Sequence, residues 1–222
     1  MRLAIVVPVK SYARAKQRLN ALLSEAERTQ LATAMTQDVL ETVTQLTGYG
    51  RFIVSDEEEV LELGRRLGID AVEDRARQGQ SAAVRQGFDA AWAAGFAGAL
   101  TIPGDVPGVT PDEVRDLCES RPEVEVMLAP DRERQGTNGL RLKPPHAIAL
   151  RFGEESFRLH AAEAARAHRS FAVMDIAGLA CDLDRPEDVV AFMKLGRETA
   201  TLQLLRELQV LDRVSEIASR RG

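Results

Sequence analysis

The sequence predicts an α/β fold with a Rossmann-like, mainly parallel sheet and helices on both faces. Three observations predict it. Short apolar runs rich in β-branched residues alternate with segments of helical spacing from residue 3 to about residue 129. Capping signals or Gly and Pro breakers separate them. The chain of 222 residues, 45% of them hydrophobic, is long enough to bury one proper core.

Residues 3–7 (LAIVV) form the first strand, which Pro8-Val9-Lys10 ends. A basic segment follows, with Lys10, Arg14, Lys16 and Arg18. Ser24 and Glu27 make a capping box that opens a helix to about residue 46, with Leu31, Met35, Val39 and Val43 near helical spacing. Gly48 and Gly50 close it. Residues 51–54 are the second strand. Ser55 or Asp56 caps a helix through residue 67, and the acidic first turn of Glu57, Glu58 and Glu59 suits the helix dipole. Gly68 is its C-cap. Residues 69–72 are the third strand, 73–80 a polar loop, and 81–94 a helix with Trp92 in the core.

Residues 99–102 (ALTI) are the fourth strand, broken at Pro103-Gly104. Thr110 caps the next helix, with Pro111 at its first position. Residues 124–129 are a further strand. The pattern changes after Pro130. Residues 140–142 and 147–150 read as strands around Pro144-Pro145, 156–168 as a helix, and 173–176 and 179–183 as short extended pieces. Asp184 caps a helix to about residue 195. Residues 198–219 carry Leu202, Leu205, Leu208 and Val214 on one helix face. The organisation is a single domain, 1–222, with 196–222 as a C-terminal helical extension.

A net charge of -5 and a pI near 5.4 argue against a general nucleic-acid surface. Cys118 and Cys181 lie far apart, without metal-ligand spacing or a disulfide framework, which suits a reduced, cytoplasmic protein. No apolar run approaches a membrane span or a signal segment.

Asp105 stands between Pro and Gly residues after the fourth strand. The C-terminal ends of parallel strands are where open α/β sheets bind ligands, and a fixed carboxylate there suits Mg²⁺. A turn Asp is the plainer alternative. In Asp182-Leu183-Asp184 an extended backbone puts both acids on one face while Leu183 packs inward. With Asp105, three acids can converge, and a divalent cation removes their repulsion; a helix cap at Asp184 and a surface Asp182 are the alternative. Lys10, Lys16 and Arg18 follow the first strand, a place that suits phosphate, although neither a Walker A loop nor a G-x-G-x-x-G fingerprint occurs. Gly136-Thr137-Asn138-Gly139 and the stretch from Phe152 to Phe157 each place small residues and a hydroxyl in a loop, where amides can meet an anion. Ser156 also reads as a helix N-cap. His146, His160 and His168 lack the spacing of a zinc site or a nucleophile–base pair and read as structural or exposed.

Taken in order, Val7-Pro8-Val9-Lys10, Ala15-Lys16-Gln17-Arg18-Leu19, Pro103-Gly104-Asp105-Val106-Pro107, Gly136-Thr137-Asn138, Arg151-Phe152-Gly153 with Ser156-Phe157 and His160, and Asp182 to Asp188 resemble the 2-phospho-L-lactate guanylyltransferase family, which includes phosphoenolpyruvate guanylyltransferases. The resemblance covers roughly residues 3–193. It implies a nucleotidyltransferase of the molybdenum-cofactor guanylyltransferase type, on a sheet of the nucleotide-diphospho-sugar transferase kind. It implies transfer of GMP from GTP to a phosphorylated three-carbon acid (2-phospho-L-lactate, phosphoenolpyruvate or 3-phosphoglycerate), with release of pyrophosphate, in coenzyme F420 biosynthesis. By resemblance Asp105, Asp182 and Asp184 hold Mg²⁺. Lys10, Thr137, Gly153 and Ser156 contact the acid, and Lys16 and Arg18 lie near the GTP phosphates. Where the family often has Gly-Leu-Asn, near the base, this chain has Gly79-Gln80-Ser81. The expected partners are these two substrates and, through the apolar face of the last segment, either the chain's own core or a second copy in a homodimer. The alternatives are a nucleotidyltransferase with another acceptor, a glycosyltransferase using D-x-D, and a non-catalytic nucleotide-binding protein.

Overall fold

The computed structural model describes residues 2–12, 16–75 and 77–219. Arg14 and Ala15 of the basic segment lie outside them. The chain runs β1 (Leu3–Pro8), a 3₁₀ turn (Gln17–Leu19), α1 (Glu25–Thr44), β2 (Gly50–Ser55), α2 (Glu58–Arg66), β3 (Asp70–Glu73), α3 (Gln80–Ala93), β4 (Gly98–Thr101) and α4 (Pro111–Glu119). It continues through β5 (Val126–Pro130), β6 (Thr137–Leu142), α5 (Ser156–Arg166), β7 (Phe171–Val173), α6 (Pro186–Leu195), α7 (Ala200–Glu207) and α8 (Val210–Ser219).

Among the described residues the strands form one sheet in the order β3-β2-β1-β4-β6-β5-β7. β1 pairs in parallel with β2 and β4, β2 with β3, and β5 with β7. Only β6 runs against its neighbours, β4 and β5. The predicted parallel sheet is therefore present, with one reversed strand where the sequence pattern changes after Pro130.

β1 shows why the sheet is covered on both faces. Leu3, Ile5 and Val7 pack with Val39 and Val43 of α1, Val60 of α2 and Leu117 of α4. Ala4 and Val6, pointing the other way, pack with Val84 and Phe88 of α3 and Ala164 of α5. Gly87 lets α3 approach closely, since a Cβ there would lie 2.3 Å from Val6. The predicted capping boxes of α1 (Ser24 with Glu27) and α4 (Thr110 with Glu113) both form.

Arg141 of β6 is fully buried and has no carboxylate partner among the described residues. Its guanidinium instead donates to the carbonyls of Leu117, Cys118, Ser120, Arg121 and Val124. Most of these are the carbonyls that a helix end leaves without intrahelical donors, and a guanidinium fork suits them.

Several expectations need correction. Residues 147–150 are not a strand, because Pro144 and Pro145 just before them bring no ladder amides. Residues 179–183 are not an extended piece: they leave a turn in which the Ala180 amide donates to the Ile176 carbonyl at 2.8 Å, and they pair with no strand among the described residues. Trp92 is 50% exposed; the buried stripe of α3 runs through Val84, Phe88 and Ala91, and Trp92 lies one residue round the helix, its ring edge-on to His146. α2 is capped at Glu57, whose amide donates to Ser55 Oγ. The N-cap of α5 is Glu155, not Ser156, and that of α6 is Arg185, whose amide donates to Asp188, not Asp184.

The last segment is two helices, broken at Gln209 in a left-handed conformation. Its apolar face covers the chain's own core: Leu202, Leu205 and Val210 bury against Leu19, Leu23, Leu31 and Met35. Asp38 of α1 anchors it by accepting the first amides of α7, from Ala200 at 2.9 Å and Thr201 at 2.8 Å. No helix among the described residues is long and apolar enough to cross a membrane.

Candidate active site

A cleft of about 560 Å³ opens at the C-terminal ends of β1 and β4, the switch point where chain connections leave in opposite directions. Lys10, Lys16, Gly79, Asp105 and Asp184 line it together. Each arrives there for a local reason. Lys10 follows the end of β1. Lys16 sits in a left-handed conformation that opens the 3₁₀ turn. Asp105 lies beyond Pro103-Gly104, and Gly104 fits close under Val9, where a Cβ would come within 2.9 Å of a Val9 methyl. Asp184 is brought in by Leu183, which is fully buried and whose amide donates to the Asp105 carbonyl at 3.3 Å. The inward Leu183 flanked by two acids is as the sequence predicts.

Lys16 is the centre of the site. Its ammonium donates to Asp105 Oδ2 at 2.7 Å and to Asp184 Oδ1 at 2.6 Å, while its side chain is only 7% exposed. Burial works against its charge, but the two carboxylates outweigh burial and hold its pKa above the ordinary lysine value. The Asp184 side chain is more open, at 43% exposed, and Lys16 outweighs what desolvation remains to hold its carboxyl below the usual range. Asp182 differs. Burial first, and then the Asp105 charge, push it up to about 6, and Asn138 Nδ2 donates to it at 3.0 Å. Three carboxylates thus share a region with one ammonium. Among the described residues no three acids, histidines or cysteines form a ready-made metal cage, and Lys16 stands between two of the three acids. The donor chemistry nevertheless fits a hard divalent cation: all-oxygen ligands, with one buried acid repelled by another.

Gly79 closes the cleft on the other side. Its φ of +90° favours glycine, and α3 starts there with no side-chain cap. Arg77 and Asp74 also line this wall; the Arg77 amide donates to Asp74, and its guanidinium pairs with Asp56 at 3.2 Å. Ser81 does not line the cleft. Its hydroxyl accepts the Phe152 amide at 3.0 Å and so ties α3 to the loop before α5. Arg18 is exposed outside the cleft, near enough for its charge to lower the Asp184 pKa.

Thr137, Gly153 and Ser156 do not line the cleft. The buried Thr137 hydroxyl lies 3.0 Å from His160 Nδ1. Ser156, also buried, donates its amide to the Gly153 carbonyl at 3.2 Å. Asn138, next to Thr137 in the chain, donates its Nδ2 to the Leu179 carbonyl at 2.8 Å and to Asp182 at 3.0 Å. Sequence reasoning named Asn138 and His160 within its motifs but missed their contacts. Neither has a spacing signal, since the partners are 44 and 23 residues away.

Comparisons with known proteins give the family and the fold. The sequence model of the family described as "Guanylyl transferase CofC like" matches residues 3–221. A phosphoenolpyruvate guanylyltransferase of Sphaerobacter thermophilus is 36% identical over 83% of this chain and 89% of its own. A 2-phospho-L-lactate guanylyltransferase of Methanothermobacter thermautotrophicus is 31% identical over 94% and 92%. Among solved structures, a protein of Desulfovibrio desulfuricans provisionally called a nucleotide-diphospho-sugar transferase superposes with a TM-score of 0.76 at 16% identity, covering 97% of this chain and 98% of that one. A cytidylyltransferase of Leptospira borgpetersenii gives 0.62 at 9% identity, covering 96% of each. At these identities the structural matches speak for the fold alone. With its family model matched almost end to end, the chain belongs to the CofC-like guanylyl transferase family.

Proposed function

We propose that the protein transfers GMP from GTP to the phosphate of a phosphorylated three-carbon acid, releasing pyrophosphate, as a step in coenzyme F420 biosynthesis. The observation that carries this reading is the Lys16 ammonium held between Asp105 and Asp184 at the mouth of the cleft.

An oxygen of the acid's phosphate attacks the α-phosphorus of GTP. A new P–O bond forms there as the bond from the α-phosphorus to the bridging oxygen breaks, and pyrophosphate leaves with the electron pair. The attacking oxygen is already ionised at neutral pH, so the step needs no strong general base. Catalysis then rests on positioning and charge neutralisation. Lys16 and Arg18 face the phosphates of GTP, and Lys10, exposed at the end of β1, adds a third cation. Asp105, Asp182 and Asp184 are the residues to hold Mg²⁺, which when bound supplies charge neutralisation at the phosphates. The Gly79 wall accommodates the nucleotide, while Thr137, Gly153 and Ser156 receive the acid.

The test is pyrophosphate release from GTP with Mg²⁺, offering phosphoenolpyruvate, 2-phospho-L-lactate and 3-phosphoglycerate separately, with ATP as control. Release with GTP and one acid supports the reading and names the acceptor. Silence with all three overturns it.

A further inference from the structure

His160 is fully buried at the centre of α5, and both of its ring nitrogens are engaged. The Arg151 backbone amide lies 2.9 Å from Nε2. A backbone N–H can only donate, so Nε2 is an acceptor and carries no proton. The ring proton is therefore on Nδ1, which donates to Thr137 Oγ1 at 3.0 Å. Phe152 packs edge-on against the ring, with centroids 4.8 Å apart, and fixes its plane.

One consequence falls on Thr137. Its hydroxyl oxygen already accepts a proton from His160, and no described residue accepts the hydroxyl's own proton. The Thr137 hydroxyl is thus set to donate. A buried donor favours an anionic oxygen, the strongest acceptor, and rejects an ammonium group, which offers none, because a buried donor left unmatched is costly.

We propose that His160 is a positioning residue: by locking its own tautomer on the Arg151 amide, it fixes the Thr137 hydroxyl as a hydrogen-bond donor to an anionic oxygen of the acceptor acid. This rests on the reaction proposed above. His160 touches neither reacting atom; it acts through Thr137. The arrangement reads a property that the three candidate acids share, the anionic oxygen, rather than the carbon skeleton in which they differ.

The test compares five full-length proteins under steady-state conditions with GTP, Mg²⁺ and the preferred acid: wild type, His160→Asn, His160→Gln, Thr137→Val and the Thr137→Val/His160→Gln double variant. Asn places its amide near the Nδ1 position and can still donate to Thr137. Gln places its amide near Nε2 and can answer only Arg151. His160→Gln raises KM for the acid about tenfold, equivalent to about 1.4 kcal/mol, and leaves KM for GTP unchanged. His160→Asn restores most of the loss. In a Thr137→Val background, His160→Gln has no further effect on the acid KM. The inference is overturned if Asn and Gln lose equally, if both substrates weaken together, or if the two substitutions add. A wild-type protein that turns over none of the acids overturns the reaction itself and this role with it. Turnover with an unchanged acid KM in His160→Gln overturns this role alone.

Discussion

The two halves of the sheet carry their polar groups in different ways. On the β1–β4 side, charge does the work. Lys10, Lys16, Asp105 and Asp184 stand at strand ends around an open cleft, where the Asp105 and Asp184 charges raise the Lys16 pKa and Lys16 lowers that of Asp184. On the β5–β7 side the polar groups are buried and held by fixed hydrogen bonds: Thr137 to His160, Asn138 to the Leu179 carbonyl and Asp182, Arg141 to five carbonyls. Charge tolerates a few tenths of an ångström of misplacement, whereas a hydrogen bond does not. The first half therefore suits a flexible polyphosphate, and the second a small rigid acid.

The largest effect is expected where the charges meet. Asp105→Asn removes a carboxylate from Lys16 while keeping its shape, and turnover should fall about 10²–10³-fold with the fold intact by circular dichroism. Full activity in that variant would break the account of the charged half. Lys16→Met leaves Asp105 and Asp184 without their shared cation, and kcat should drop about 10²-fold, read by pyrophosphate release.

The buried half should respond in stability instead. Arg141→Met leaves carbonyls at the end of α4 without donors, and urea unfolding should show a loss of about 3 kcal/mol, with KM for both substrates unchanged in the folded fraction. His160 gives a subtler signature. Burial pushes its pKa down to about 4 from an ordinary 6.5, so the unfolded chain binds a proton that the folded chain refuses. Stability from this residue is full above about pH 6.5, declines as pH falls towards 4, and levels below that. Glu163 favours and Arg151 opposes the charged ring, both less than burial does. In His160→Asn this part of the decline, measured by denaturation between pH 7 and 5, should vanish. The smallest effect is expected at Trp92→Ser, on a surface belonging to neither half, where stability should stay within about 0.5 kcal/mol.

The charged half was largely legible in the sequence. Its strands are followed closely by their own helices, so Lys10, Lys16 and Asp105 could be placed at strand ends from local signals alone. Asp182-Leu183-Asp184 was legible because an inward Leu between two acids is a local pattern. The bridging of Asp105 and Asp184 by Lys16 was not, since the three are brought together across 89 and 168 residues. The buried half was less legible. Its reversed strand β6 puts Thr137 beside a helix that starts 19 residues later, and the partners of His160, Asn138 and Arg141 are backbone groups and distant side chains without spacing rules. Trp92 misled because a large aromatic on a helix suggests the core, whereas the buried stripe ran one residue away.

The most direct test of the account follows the α-phosphorus itself. A single turnover is run with GTP labelled at that atom, Mg²⁺ and the preferred acid, and the products are separated by charge and mass. The account predicts the label in one new anhydride that contains both the guanosine and the acid, with unlabelled pyrophosphate released. Label recovered as free GMP, or left in unconsumed GTP, would contradict transfer to the acid and leave the buried half without its substrate.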